Sequence, residues 1–576
     1  MRRTTRGLIA VLSTATLVVA GCTGGSGDGG SSSSGSAGQV SGPEDRLTVL
    51  ATGPVQAWDP QRITDRRTAG FASRTWMRTL TAYEPESALS GQRTLSGDLA
   101  TNTGTPNADA TRWTFSLRSG VTWQDGSRIT CEDVRHGVAR SFDKDIDSSG
   151  YALTYLDIPK KPDGTSRYPG PDDADSTEAK LLEEAVECTD SSTVVFHLAD
   201  PVGGFDEIVS LPEFAPVKET KGAAADAVHR AYSSGPYKLE DGWTASKGGT
   251  WVRNAEWDRA SDRLRRPGPA EIVHKEGVEP RDALEEIVEG KDGGRTLGLD
   301  PLPPSLAPVV EEAGDSVQTV ETDGQLIDYL AVNADSTALR SATVRRALAA
   351  ATDRGAYTEG FGSGTPAWSL LGTALPSAHE TVLDHGPSGD AAAAKKLLAK
   401  ADVDGPVELT LAHRAGEPLD EALEDLLPQW KKAGFDVTLE PIDDEDYFDA
   451  IGKRSTAAKH DLVWANWGPD HPSAATVLPP LFDDRANLTK DSVGRNYGLY
   501  EDRMMTKAMD KAVETREPSD RATAWEEIDR DLLRDGAYVP LRQSRLVYAA
   551  GSEVTSLVGN PVLGGMPEMG LIGVQE

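Results

Sequence analysis

Trp113-Thr114-Phe115-Ser116-Leu117-Arg118-Ser119-Gly120-Val121-Thr122-Trp123-Gln124-Asp125-Gly126-Ser127-Arg128-Ile129-Thr130-Cys131-Glu132-Asp133-Val134 is the most informative run of this chain. Its first five residues alternate apolar and polar side chains, the period-two pattern of a strand with one buried face. Trp123-Gln124-Asp125-Gly126 reads as a tight turn in which Gly126 supplies a positive φ. Thr130, followed three residues on by Asp133, has the form of a capping box and predicts a helix from Cys131 toward Phe142.

Strand and helix signals continue to alternate outward from this run, as in α/β architecture. Leu47–Leu50 and Thr193–Leu198 read as strands. Farther on, a strand at Val407–Leu411 precedes a helix at Leu419–Ala433, interrupted near Pro428 and closed by Gly434 in the left-handed position. Strands at Phe435–Leu439 and Asp461–Trp464 follow, and this β-α-β-β order predicts a second α/β lobe. A helix over Ser519–Arg534, closed by Gly536, leads into a strand at Tyr538–Leu541. Ile158–Glu178 is rich in Pro, Asp and Gly and reads as loop. Gly290–Ala307 is Gly/Pro-rich and reads as a crossing between lobes. No internal repeat is evident.

With 576 residues the chain has room for two or more domains, and 38% hydrophobic with 26% charged residues describes a globular protein. Acidic groups outnumber basic ones 91 to 59, a net charge of −32, which argues against a nucleic-acid partner. Three cysteines are too few for a disulfide scaffold or a multi-cysteine zinc array.

The amino terminus carries an address. Arg2, Arg3 and Arg6 precede an apolar run, Leu8–Val19, too short to span a bilayer but of signal-peptide length. It ends Val19-Ala20-Gly21-Cys22, which resembles a bacterial lipoprotein signal in which Cys22 becomes the lipidated first residue. Residues 1–21 are then the signal peptide, and 22–42, almost wholly Gly, Ser and Ala, a flexible tether. The protein is expected on the extracellular face of the cytoplasmic membrane, or in the periplasm if there is an outer membrane. Cys131 and Cys188, 57 positions apart, are expected to form a disulfide contributing about 4 kcal/mol on loop-entropy grounds. Two separate buried thiols are the alternative.

Catalytic signatures are missing. Gly360-Phe361-Gly362-Ser363-Gly364 has the wrong spacing for a nucleophile elbow. His379-Glu380 with His385 sets the second histidine at i+6, where a zinc helix needs i+4. Asp143, Asp145 and Asp147 open like a calcium loop, but Ser148 and Thr154 replace its glycine and bidentate glutamate. No enzyme, cofactor or metal site is expected, a secreted hydrolase being the remote alternative.

The Trp113–Val134 run resembles the signature of the family 5 extracellular solute-binding proteins, the dipeptide- and oligopeptide-binding components of ABC importers. Other blocks agree in order: Trp58-Asp59-Pro60, Ser234–Leu239 with Val252-Arg253-Asn254, Val344–Leu348 through Asp353-Arg354, Ala433-Gly434-Phe435, and Tyr538–Leu541. Most of these blocks are expected to be structural, with Arg345 pairing with an acid and Gly235-Pro236 setting a strand entrance.

The resemblance implies a periplasmic-binding-protein-like fold, two α/β lobes joined by two hinge crossings, with an extra subdomain in the first lobe. The expected boundaries are 43–300 for lobe I, with its peripheral subdomain at about 80–230, then 301–537 for lobe II and 538–576 returning to lobe I. Hinge closure would bury a peptide between the lobes and present it to a membrane permease; the protein is expected to be a monomer. In peptide-binding relatives a tryptophan and an aspartate three residues on meet the peptide's α-ammonium, and Trp467 and Asp470 match that spacing. Trp464 is expected beside them, and Tyr151 and Tyr155 fall in the family's pocket-facing tyrosine region. His471-Pro472 stands where many relatives have Asp-Pro, and Thr64 where some have an acid. Oligosaccharide or nickel-chelate binding, or a peptide-sensing receptor, are the alternatives within the binding class.

Overall fold

The computed structural model describes residues 45–219, 228–266, 268–379 and 385–575; the expected signal peptide, Cys22 and the tether lie outside them. Eleven strands form the main sheet: β1 (Arg46–Leu50), β2 (Tyr237–Leu239), β3 (Gly248–Arg253), β4 (Glu271–Lys275), β5 (Thr296–Gly298), β6 (Val317–Val332), β7 (Thr365–Pro366), β8 (Val407–Arg414), β9 (Phe435–Ile442), β10 (Leu462–Trp467) and β11 (Tyr538–Gly551). Their order is β9-β8-β10-β6-β11-β5-β1-β4-β3-β2, with β7 beside β11. Each half has a parallel centre: β1 between β4 and β5, and β8 between β9 and β10.

Two strands are long enough to belong to both halves. Val317–Asp323 of β6 pairs with Gly551–Arg545 of β11, and the same two strands resume as Ile327–Ala331 against Gln543–Tyr538. The register slips between Asp323 and Ile327. Gly324 sits in that slip, where a Cβ would lie 2.3 Å from the Ser544 hydroxyl, so only glycine lets the strands pass so closely. The apolar interior divides accordingly. Tyr548 and Ala550 join a cluster with Trp58, Trp76 and Trp251, whereas Tyr538, Val539 and Leu541 join one with Trp430, Trp464 and Trp525.

A third core belongs to a separate four-stranded sheet of Thr105–Pro106, Arg112–Ser116, Thr193–His197 and Val186–Asp190. Trp113, Phe115, Phe196, Phe205 and Phe214 fill it. The helix Cys131–Arg140 covers it, with the Asp133 carboxylate accepting from both the Thr130 amide (2.8 Å) and hydroxyl (2.9 Å). Cys131 and Cys188 are joined as a disulfide across a Cα–Cα distance of 5.7 Å, fastening this helix to the edge strand.

Several blocks quoted above are structural. Gly126 takes φ 80° and its amide donates to the Trp123 carbonyl at 2.9 Å, closing the expected turn. Gly235 precedes β2 and packs so close to the Thr75 carbonyl that a Cβ would sit 2.7 Å away. Asp59 is gripped by both terminal nitrogens of buried Arg140, at 2.7 and 2.6 Å. Arg345 departs from expectation: among the described residues it pairs with no acid side chain but donates to the carbonyls of Asp535, at the end of helix Pro518–Asp535, and of Leu339 and Arg340. Helix carbonyls lacking an amide partner are as good an anchor for a guanidinium as a carboxylate, and sequence spacing does not distinguish them.

His274 is buried against Trp58, Phe71 and Trp243, and neither of its ring nitrogens has a hydrogen-bond partner among the described residues. Burial, with a smaller contribution from Arg67, pushes its pKa down to about 3. The unfolded chain takes up this proton near pH 6.5, well before the folded one does, so the term is harmless above that pH and destabilises as pH falls below it. Acidification from about pH 6.5 to 4.5 is therefore expected to cost about 2–3 kcal/mol through this residue alone. In melting curves at the two pH values, His274→Phe should lose less stability than the parent. An equal loss in both would disprove the assignment.

Candidate functional site: a polar cavity between the two halves

The turn after β10 carries the site. Trp467 ends that strand, and its indole donates to the Thr476 carbonyl at 2.9 Å. The Asp470 amide is 3.2 Å from the Thr476 hydroxyl, so both side chains are set by the same short turn. From the other half comes the helix Tyr151–Tyr155, whose start is held by buried Glu213, accepting from the amides of Tyr151 and Ala152, each at 3.0 Å. The Tyr151 and Tyr155 rings stack with centroids 6.1 Å apart.

These groups line one cavity of about 930 Å³ with Thr64, Asp65, Arg66, Ser149, Asp483 and Arg495. Asp470 is half exposed in it, at 51%. Its Oδ2 accepts the Tyr151 hydroxyl at 2.7 Å, and Arg66 Nη2 stands 3.8 Å from Oδ1. That guanidinium lies closer to the backbone, donating to the carbonyls of Gly468 and Pro469 at 3.0 Å each, so it steadies the turn without occupying the carboxylate. Burial, and then the Asp470 charge, raise the Tyr151 phenol, which therefore stays a neutral donor to Asp470. Burial likewise pushes Tyr155 up to about 12. The result is a carboxylate of fixed position with free lone pairs, walled by aromatic rings: an arrangement suited to holding a cationic group without reacting with it.

Four of the five side chains expected here meet in the cavity; Trp464 does not. It is 1% exposed in the core of the second half, its indole donating to the Tyr357 hydroxyl at 2.9 Å. Trp464 and Trp467 are three apart on a strand, so they face opposite sides of the sheet. His471 is also buried, its ring 6.2 Å from that of Tyr151, and burial lowers its pKa. Arg66 and Arg495, absent from the sequence expectations, also line the cavity; Arg66 is brought there from a segment hundreds of residues away from the Asp470 turn, and no local pattern announces either. Among the described residues no three His, Cys, Asp or Glu side chains are grouped as around a metal ion, and no helix is long and apolar enough to cross a membrane.

A two-halved sheet threaded by two strands, with a cavity between the halves, is the architecture of bacterial solute-binding proteins. The fold matches clavulanic acid biosynthesis oligopeptide binding protein 2 with a TM-score of 0.80 at 24% identity, covering 93% of this chain and 97% of that one. It matches the unliganded open form of the periplasmic murein tripeptide binding protein MppA at 0.73 and 17% identity, covering 92% and 97%. Residues 94–488 match the family described as bacterial extracellular solute-binding proteins, family 5 Middle, and the chain belongs to that family. Among curated relatives, the probable D,D-dipeptide-binding periplasmic protein DdpA of Escherichia coli (strain K12) is 23% identical over 90% of this chain and 93% of its own. The periplasmic oligopeptide-binding protein OppA of Salmonella typhimurium is 21% identical over 76% and 77%.

Proposed function

We propose that this chain captures short peptides in the Asp470 cavity and delivers them to an ABC permease, without catalysing a reaction. The observation that carries the reading is the meeting of Asp470, Trp467, Tyr151 and Tyr155 around one cavity of about 930 Å³, formed from both halves of the sheet. A fixed carboxylate orients a peptide by its α-ammonium, which every peptide has, while aromatic walls tolerate varied side chains. Relatives named as dipeptide- and oligopeptide-binding proteins support the same choice of solute. The Val19-Ala20-Gly21-Cys22 sequence supports a lipid anchor through Cys22 on the outer face of the membrane.

The strand pairings favour lobe boundaries within β6 and β11, near Asp323–Ile327 and Gln543–Arg545, since Leu297 still pairs with Val49 and Ala550 inside the first half. Rotation about these two strands would open and close the cavity.

Mass spectrometry of small molecules released from the purified protein, with thermal melting against peptide libraries, tests the reading. Released peptides and peptide-dependent rises in Tm are expected. If no peptide shifts melting but an oligosaccharide or a metal chelate does, the peptide assignment is wrong.

A further inference from the structure

The two halves also meet away from the Asp470 cavity. Gly203 and Gly204 lead into the short helix Phe205–Ile208, whose Phe205 packs in the core of the four-stranded subdomain. They abut the link between helices Arg503–Glu514 and Pro518–Asp535, and Trp525 and Ile528 of the latter belong to the core of the second half. The Gly203 amide donates to the Val513 carbonyl at 2.8 Å. A Cβ on Gly203 would lie 2.0 Å from the Thr515 carbonyl oxygen, so only glycine allows this approach.

A buried ion pair closes the contact. Arg521 Nη2 donates to Glu207 Oε1 at 2.5 Å, with 6% and 16% of the two side chains exposed. Arg521 Nη1 reaches the Gly203 carbonyl at 3.2 Å, and those of Thr515 and Arg516 at 3.0 and 3.1 Å. The last two belong to its own half, so the guanidinium stays aimed when the halves part. His471 Nδ1 is 3.9 Å from the other Glu207 oxygen, beyond hydrogen-bond distance. Gly203, Glu207 and Arg521 are not among the residues that line the Asp470 cavity.

These bonds join a segment before the β6 boundary to segments between the β6 and β11 boundaries. Rotation about the two strands would therefore break them. A polar contact suits a reversible closure, because both charges regain water on opening and their desolvation largely offsets their attraction. It biases the equilibrium without locking it.

We propose that Gly203, Glu207 and Arg521 form a latch that raises the population of the closed form, and so sets affinity for every solute without touching one. This rests on the hinge rotation proposed above and not on the solute being a peptide. Where solute is held only in the closed form, apparent affinity falls with the closed fraction, by one factor common to all solutes.

Glu207→Gln removes the charge with little change of shape, and Gly203→Ala keeps the charges but blocks the approach. Small-angle X-ray scattering of the unliganded proteins, with calorimetric titration of two unrelated peptides that stabilise the parent, tests the latch. Both variants are expected to show a larger radius of gyration than the parent and to regain the parental value at saturating peptide. Affinity for the two peptides is expected to fall by the same factor, about three- to tenfold. If Gly203→Ala fails to fold, Glu207→Gln decides alone. A parental radius, undiminished affinity, or unequal losses for the two peptides in Glu207→Gln overturns the latch. A larger radius in Glu207→Gln, with no peptide bound by the parent, sustains the latch and overturns the peptide reading instead.

Discussion

Asp470→Ala is expected to abolish peptide-dependent stabilisation while leaving the melting of the unliganded protein nearly unchanged. The asymmetry follows from where the carboxylate sits. In the free protein it is half exposed, and its Arg66 neighbour at 3.8 Å is itself 37% exposed, so the pair contributes little to folding. In the complex, the same carboxylate would face an ammonium group removed from water, and deleting it leaves that ammonium unpaired. Losing one partner of such a desolvated pair costs about 2–5 kcal/mol, or roughly 30-fold to several-thousand-fold in affinity. Asp470→Asn separates charge from position, because an amide oxygen still accepts the Tyr151 hydroxyl. It should bind peptides nearly as poorly as the alanine variant. Calorimetric titration with a peptide that stabilises the parent checks this; an asparagine variant with parental affinity would show that Asp470 only shapes the turn.

The second large effect is on folding. Asp98 is fully buried and receives three charge-assisted bonds: Arg78 Nε at 2.7 Å, and Arg265 Nη1 and Nη2 at 2.9 and 2.7 Å. Asp262 completes the group, 3.1 Å from Arg265, with the Trp257 indole donating to it at 3.0 Å. Burial would raise the Asp262 pKa, but Arg265 and Arg78 outweigh it and hold the carboxyl well below its ordinary range. Two arginines thus share two acids in a dry site. Asp98→Ala leaves both guanidinium groups one carboxylate short, where neither can reach water. A loss of about 3–5 kcal/mol is expected, because the desolvation cost remains while the attraction is gone. Thermal and urea melting measure it. A change below about 1 kcal/mol would mean that water or a rearranged Asp262 satisfies the arginines. The cluster joins the segment leading into the four-stranded subdomain to the loop before β4, so its failure should loosen that subdomain first.

Elements set by short-range chemistry were legible from the residues alone. The capping box at Thr130, the break of the Leu419–Ala433 helix near Pro428, and the left-handed Gly434 and Gly536 all occur where expected. Gly290–Ala307 proved less open than its composition implied, since it carries β5 in the middle of the sheet. The Tyr538–Leu541 strand extends to Gly551, because its far end is stabilised by β5 and β6 partners remote in sequence. Its inward-facing pattern changes halfway as it leaves one core for another.

The site divides along the same line. The resemblance to peptide-binding relatives singled out Trp467 and Asp470 by their three-residue spacing, and because both lie on one short turn the structure keeps them together. Strand parity could have excluded Trp464, had the strand been known to continue to Trp467. The sequence by itself determined the α/β class, the family and four of the residues that line the cavity. Only the tertiary structure decided that Arg66 and Tyr151 flank Asp470 and that Arg495 lies on the Trp467 ring. The contacts of Arg66 and Tyr151 with the Asp470 turn join segments hundreds of residues apart across the two halves, a relation that no window of residues encodes.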